Sequence, residues 1–155
     1  MGKKIVFSVL FFCCLFSWCF AYANELQFRL VLTEQESKTA PFDKYIDDFG
    51  EEILVSKEIL LTNSDVEKMS VLPEGKYEEP YEAPMVMIYF TTSGKTKFFE
   101  ATKKYINRRI AMIVGNKVSM SPYIREAIDT GWTSIPTKSL KEAEELIKNL
   151  GFAQK

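Results

Sequence analysis

Histidine is absent from all 155 residues. Without it the chain lacks the commonest general base, the commonest metal ligand and the usual titrating group near neutral pH. Cysteine is nearly as scarce: Cys13, Cys14 and Cys19 are the only three, and all lie ahead of residue 20. Beyond them there is no thiol for a disulfide, a nucleophile or a thiolate zinc site. Positive charge shows no excess, with 20 Lys and Arg against 21 Asp and Glu. That balance argues against a protein that grips nucleic acid through several phosphates. With 7 Gly and 6 Pro the chain is neither collagen-like nor of low complexity. What remains, 46% apolar and 26% charged residues, is the composition of a folded protein, and the length suits one core.

The apolar content is unevenly spread. Lys3 and Lys4 precede an uncharged stretch, Ile5 to Tyr22, that closes in Ala21-Tyr22-Ala23. A basic start, an apolar run and small residues two apart are the pattern of a secretory signal peptide, so residues 1–23 are expected to be cleaved ahead of Asn24. The run is also long enough for the alternative, an uncleaved membrane anchor. Removal of the leader takes all three cysteines with it and leaves 18 basic against 21 acidic side chains, a net charge of -3. Residues 24–155 are then expected to fold as a single exported, periplasmic domain, monomeric, stabilised by packing alone and free of cofactor.

Periodicity organises that domain. Leu26, Phe28, Leu30 and Leu32 alternate with Gln27 and Arg29, as in a half-buried strand. Thr39 to Glu52 is open between a short helix and a wrapped loop. Glu52 to Thr62 is rich in Ile, Leu and Val and reads as a strand or hairpin arm, closed by a turn or capping signal at Asn63-Ser64-Asp65. Pro73 to Pro84 holds three prolines and a glycine and reads as the longest loop. Met85 to Phe90 is apolar throughout, the mark of a strand buried on both faces. A helix capped by Ser93 follows, with Phe98, Phe99, Thr102, Tyr105 and Ile106 on one stripe and Asn107 at its end. Ile110 to Val114 and Lys117 to Met120 flank Gly115-Asn116 as a hairpin, and Ile124 to Ile128 with Trp132 to Ile135 suggests a second. Ser139 and Glu142 form a capping box for a last helix that buries Leu140, Ala143, Leu146, Ile147 and Leu150 and stops at Gly151. The order predicts an α+β fold, a mainly antiparallel sheet with two main helices packed on one face.

Familiar catalytic patterns fail on inspection. Thr92-Ser93-Gly94-Lys95-Thr96 has the tail of a phosphate-binding loop between a strand and a helix, but Tyr89 stands where its first glycine belongs. Asp47-Asp48, Glu51-Glu52 and Glu78-Glu79 offer carboxylate pairs, yet neighbours on regular structure point apart and charge runs are normally solvated faces. Ser-x-x-Lys and calcium-loop patterns are missing. No catalytic, cofactor-binding or metal residue is therefore assigned, and the protein is expected not to be an enzyme.

One resemblance spans nearly the whole exported part. Tyr105-Ile106-Asn107-Arg108-Arg109, then Ile110 through Val118, then Pro122-Tyr123-Ile124-Arg125-Glu126-Ala127-Ile128 resembles the periplasmic head subdomain of the protein-export factor SecD and its SecDF fusions. Ser139 to Leu146 is similar to that family's last helix, Leu26 to Val31 to its opening strand, and Leu60-Leu61-Thr62 with Asp65-Val66 to its short corner. Asn107 stands in place of a usual glycine, Gly115-Asn116 in place of Asp-Gly, and Ala127 in place of proline; the first two substitutions suit the turns they occupy. The family's transmembrane helices, their charged proton-pathway residues and the base subdomain have no counterpart here, which implies a free-standing head.

The resemblance implies a non-catalytic envelope module that contacts unfolded or translocating polypeptide, or translocase components, and takes no nucleic acid or small-molecule substrate. Membrane contact follows only if the leader is retained. Such a module needs exposed aromatic surface, and Tyr77, Tyr81 and Trp132 are the candidate polypeptide-binding residues. Each has a plainer reading, since loop tyrosines often pack back on the body and a tryptophan is more often partly core. An interaction or inhibitory protein that keeps the fold without the export role is the alternative, and an unrecognised hydrolase the remote one.

Overall fold

The alternating residues at the front form β1 (Leu26–Leu32), with Leu26 and Phe28 fully buried on one side. The computed structural model describes residues 25–72 and 83–152. After β1 come β2 (Phe42–Ile46), β3 (Glu52–Thr62), β4 (Val66–Leu72), β5 (Met85–Phe90), α1 (Thr92–Lys104), β6 (Ile110–Val114), β7 (Lys117–Met120), β8 (Trp132–Pro136) and α2 (Leu140–Asn149). Single 3-10 turns occupy Glu36–Lys38 and Asn63–Asp65. The strands form two sheets, β2-β3-β1-β6-β7 and β4-β5-β8, and the pairings within them are antiparallel. This is the expected α+β fold, with the sheet divided in two and the corner between β3 and β4 made by the turn at Asn63–Asp65.

The main core lies between the sheets and the helices. Phe28 of β1, Phe90 of β5 and Phe98 of α1 meet there, with ring centroids 5.8, 6.0 and 4.7 Å apart pairwise. Leu61, Val86, Ile88, Met112, Ile135 and Ile147 complete it from both sheets and from α2. A smaller cluster, Ile53, Val55, Ala111, Ile113 and Val118, occupies the opposite face of the five-stranded sheet. That face is dry because the sheet curls until the Cα atoms of its edge strands β2 and β7 come within 8 Å of each other. Irregular register between β1 and β3, and again between β6 and β7, supplies the extra bend that such curling needs.

Several expectations need correction. The region left open after Thr39 contains β2, hairpinned to β3 through a turn at Asp47–Gly50. Thr91, not Ser93, caps α1, its hydroxyl accepting from the Gly94 amide at 3.0 Å. Of the proposed α1 stripe, Phe98 and Thr102 are buried, Phe99 and Tyr105 are half-buried and Ile106 is exposed, because the helix ends at Lys104. Asn107 does take a left-handed conformation, φ 62°. On α2, Ser139 caps as expected, but Glu142 reaches the Lys138 amide, and Leu140 is exposed.

The second hairpin does not form. Residues 124–128 run as irregular chain tied at both ends to α1 and the turn after it: the Asn107 amide donates to the Ile124 carbonyl, the Ile124 amide to the Arg108 carbonyl, and the Ile128 amide to the buried Thr102 hydroxyl. β8 pairs with β5 instead.

Candidate functional site

Trp132 opens β8 and sits opposite Tyr89 of β5, which in turn sits opposite Lys68 of β4. Side chains alternate along strands, so this row lies on the face of the three-stranded sheet turned away from Ile88 and Val86. The Lys68 ammonium stands 4.8 Å above the Tyr89 ring. At 40% exposure Trp132 is a surface residue of that row, with more than half of its area covered. Tyr77 and Tyr81 lie outside the described residues.

Sequence reading passed over a second exposed aromatic. Phe49 is 79% exposed at the tip of the β2–β3 hairpin, with Ile46 beside it at 59%. The tip is held from within. One Asp47 carboxylate oxygen accepts from the Phe49 and Glu51 amides at 2.9 Å, and the other accepts from Arg109 at 2.6 Å. Burial pushes the Asp47 carboxyl up, but Arg109 and the two amides outweigh it and leave its pKa below the ordinary value. Arg109 also bonds the Ser121 carbonyl and hydroxyl, and that hydroxyl reaches Asp48 at 3.1 Å. The Asp-Asp-Phe-Gly order was the available signal, a turn sequence with an aromatic at its apex.

Asp47 and Asp48 thus serve as turn and sheet closure, not as a catalytic pair. Two further ion pairs do similar work. Arg29, 5% exposed inside the curled sheet, bonds Asp43 at 2.7 Å, which lowers the pKa of that carboxyl. Glu36 is held down to about 2 by the Thr33 amide and by Arg108. Among the described residues no three His, Cys, Asp or Glu side chains gather as a metal ion requires, and no helix is long and apolar enough to cross a membrane. The Ser93-Gly94-Lys95 sequence has a structural origin: Gly94 lets α1 close on the Asp65 carbonyl, and a Cβ there would lie 2.1 Å from that oxygen.

The described residues thus form an antiparallel α+β domain with a partly exposed aromatic row on the three-stranded sheet. The profile of the SecDF P1 head subdomain matches residues 37–151. The chain belongs to that family. SecD of Treponema pallidum, a protein translocase subunit, is 30% identical over 132 residues, 82% of this chain and 21% of its own length. SecD of Calditerrivibrio nitroreducens is 31% identical over 94 residues, 60% of this chain and 17% of its own. A solved structure of SecDF, a membrane component that enhances protein export, matches at a TM-score of 0.61 and 25% identity over 82% of this chain and 61% of that one. SecDF in a super-membrane-facing form shows the same fold, with a TM-score of 0.62 at 24% identity over 83% of this chain and 18% of that one. The chain spans only about a fifth or less of the length of these curated relatives. The chain thus carries a head domain of the kind found in the SecD and SecDF protein translocase subunits.

Proposed function

We propose that this SecD/SecDF head-like chain is a non-catalytic module of the cell envelope that assists protein export by contacting translocating polypeptide. Membership of the P1 head family over residues 37–151 is the observation that carries the reading. The exposed Trp132 supports it, since an apolar side chain next to strand backbone is what an extended chain can use. Residues 1–23 act as its export signal, and the mature protein begins at or near Asn24. Tyr77 and Tyr81 extend the contact surface from the proline-rich segment.

Capture of a permanently unfolded chain tests this. Reduced, carboxymethylated α-lactalbumin should bind the wild-type protein, and Tyr77→Ala with Tyr81→Ala, or Trp132→Ala alone, should weaken that binding. Melting temperatures should stay close to wild type, since surface substitutions usually move stability by less than about 0.5 kcal/mol. Unweakened binding in both the double variant and Trp132→Ala rejects these residues, and no binding by the wild type rejects polypeptide capture. A protein from the envelope fraction whose mass retains residues 1–23 would assign the leader to an anchor.

A further inference from the structure

The edge of β8 presents backbone groups that can be assigned individually. At one end of the β5–β8 ladder the Phe90 amide donates to the Gly131 carbonyl at 3.0 Å, and at the other the Thr137 amide donates to the Pro84 carbonyl at 2.9 Å. Antiparallel pairs alternate between bonded and unbonded. With the register Tyr89–Trp132, Met87–Ser134 and Met85–Pro136, these three pairs are the unbonded ones. On β8 the amides and carbonyls of Trp132 and Ser134, and the carbonyl of Pro136, therefore point away from β5. Among the described residues no strand pairs with that side of β8. The Trp132 carbonyl takes the Thr130 hydroxyl at 3.1 Å. Pro136 has no N–H to offer, which ends the row and keeps the open edge short.

A cavity lies beside this edge. Thr133, whose side chain shares the core side of the sheet with Ile88, lines a space of about 240 Å³ together with Phe98, Ile110, Met112, Ile124 and Ile128. A strand laid along β8 would place the residue opposite Thr133 on the cavity side. The residues before and after it would lie on the face of Trp132, because side chains alternate.

We propose that the free edge of β8 receives an extended polypeptide as an added strand. Its backbone bonds the Trp132 and Ser134 amides and the Ser134 carbonyl, one apolar side chain enters the cavity beside Thr133, and a neighbouring residue packs on Trp132. This deepens the polypeptide-contact reading above and rests on it. The occupant has to bring its own apolar side chain. A second copy of β8 cannot, because antiparallel self-pairing sets Gly131, Thr133, Ile135 or Thr137 opposite Thr133, and the one apolar side chain among them, Ile135, is 2% exposed in its own core. Backbone bonds are common to every sequence and the cavity asks only for one apolar residue at the right face, so the edge suits many unrelated chains.

Amide exchange of the purified protein, followed by NMR, tests the edge directly, with reduced, carboxymethylated α-lactalbumin as the probe. Trp132 and Ser134 amides should slow by about tenfold or more at saturating probe, while Thr133 and Ile135, already bonded to β5, stay unchanged. Ser134→Pro deletes an outward N–H without removing a β5 bond. It should weaken the probe by about fivefold, the worth of one hydrogen bond, and Ser134→Ala should leave affinity unchanged. Should Ser134→Pro fail to fold, the exchange pattern of the wild type still decides. Binding without protection of Trp132 and Ser134 overturns the edge and leaves polypeptide capture standing. Absence of binding overturns both. Protection that grows with protein concentration and needs no probe assigns the edge to a second copy and overturns the proposal.

Discussion

Replacing Gly94 with alanine sets two effects against each other. In an ordinary helix Gly→Ala is favourable by up to about 1 kcal/mol, because glycine loses more backbone freedom on folding. Here the added Cβ would lie 2.1 Å from the Asp65 carbonyl oxygen and 2.9 Å from its carbonyl carbon. Both atoms are backbone, so no side chain can swing aside. Relief requires the first turn of α1 to back away from the corner at Asn63–Asp65. That movement stretches the bond from the Thr91 amide to the same carbonyl, now 2.9 Å, and the contact of Lys97 with the Asp65 carboxylate, now 2.7 Å. Overpacking costs about 1–3 kcal/mol and a lost hydrogen bond about 1 kcal/mol. Against the helix gain, the net is a destabilisation of about 2 kcal/mol, which at this length lowers the melting temperature by about 5–10 °C. Urea unfolding should show a lower midpoint with an unchanged slope. Thr91→Ala, which removes only the cap, should cost about 1 kcal/mol. A Gly94→Ala protein as stable as wild type, or more stable, would refute the close approach of α1 to Asp65.

Two more outcomes follow from the burial and charge pattern. Phe98→Ala should cost about 3–5 kcal/mol, because its ring, 2% exposed, joins Phe28 and Phe90, whereas the half-buried Phe99 should cost markedly less on the same truncation; chemical denaturation separates them. Stability should fall in acid. Glu36 titrates near 2 in the folded protein against an ordinary 4.5, and Asp43 and Asp47 also lie below their ordinary 3.8. The unfolded chain binds more protons between those values, so the stabilisation present above pH 4.5 is lost as pH falls toward 2. Urea midpoints at pH 6 and pH 3 should differ in that direction, and Glu36→Gln should flatten the difference; midpoints that do not change with pH would contradict the ion pairs.

What could be read from residues alone is the local part of this molecule. β1, β3, β5, the β6–β7 hairpin and both helices announce themselves by period, caps and turn pairs such as Gly115-Asn116, where Gly115 takes φ 60°. The partner of β8 could not be read, because Ile124 and Ile128 carry the same apolar signal as a strand while their backbone is engaged by the end of α1. Nor could the curl of the five-stranded sheet, which depends on bulges and on Arg109 reaching Asp47 across 62 residues of chain. Arg29 looked like the polar side of a half-buried strand, yet that side is a second small core. Of the exposed aromatics, Trp132 is singled out by residue type and Phe49 is not, because exposure at a turn apex depends on how Asp47 folds the chain beneath it.

Contact with exported chains during their passage is the central claim, and photocrosslinking in growing cells addresses it most directly. A photoreactive amino acid placed at Trp132, with a second variant carrying it at the exposed but unrelated Lys141, would be irradiated while a secretory precursor is stalled in export. The account predicts an adduct between position 132 and the stalled precursor that is absent at position 141 and disappears when the precursor is released. No adduct with the precursor at position 132, or equal adducts at both positions, would contradict it.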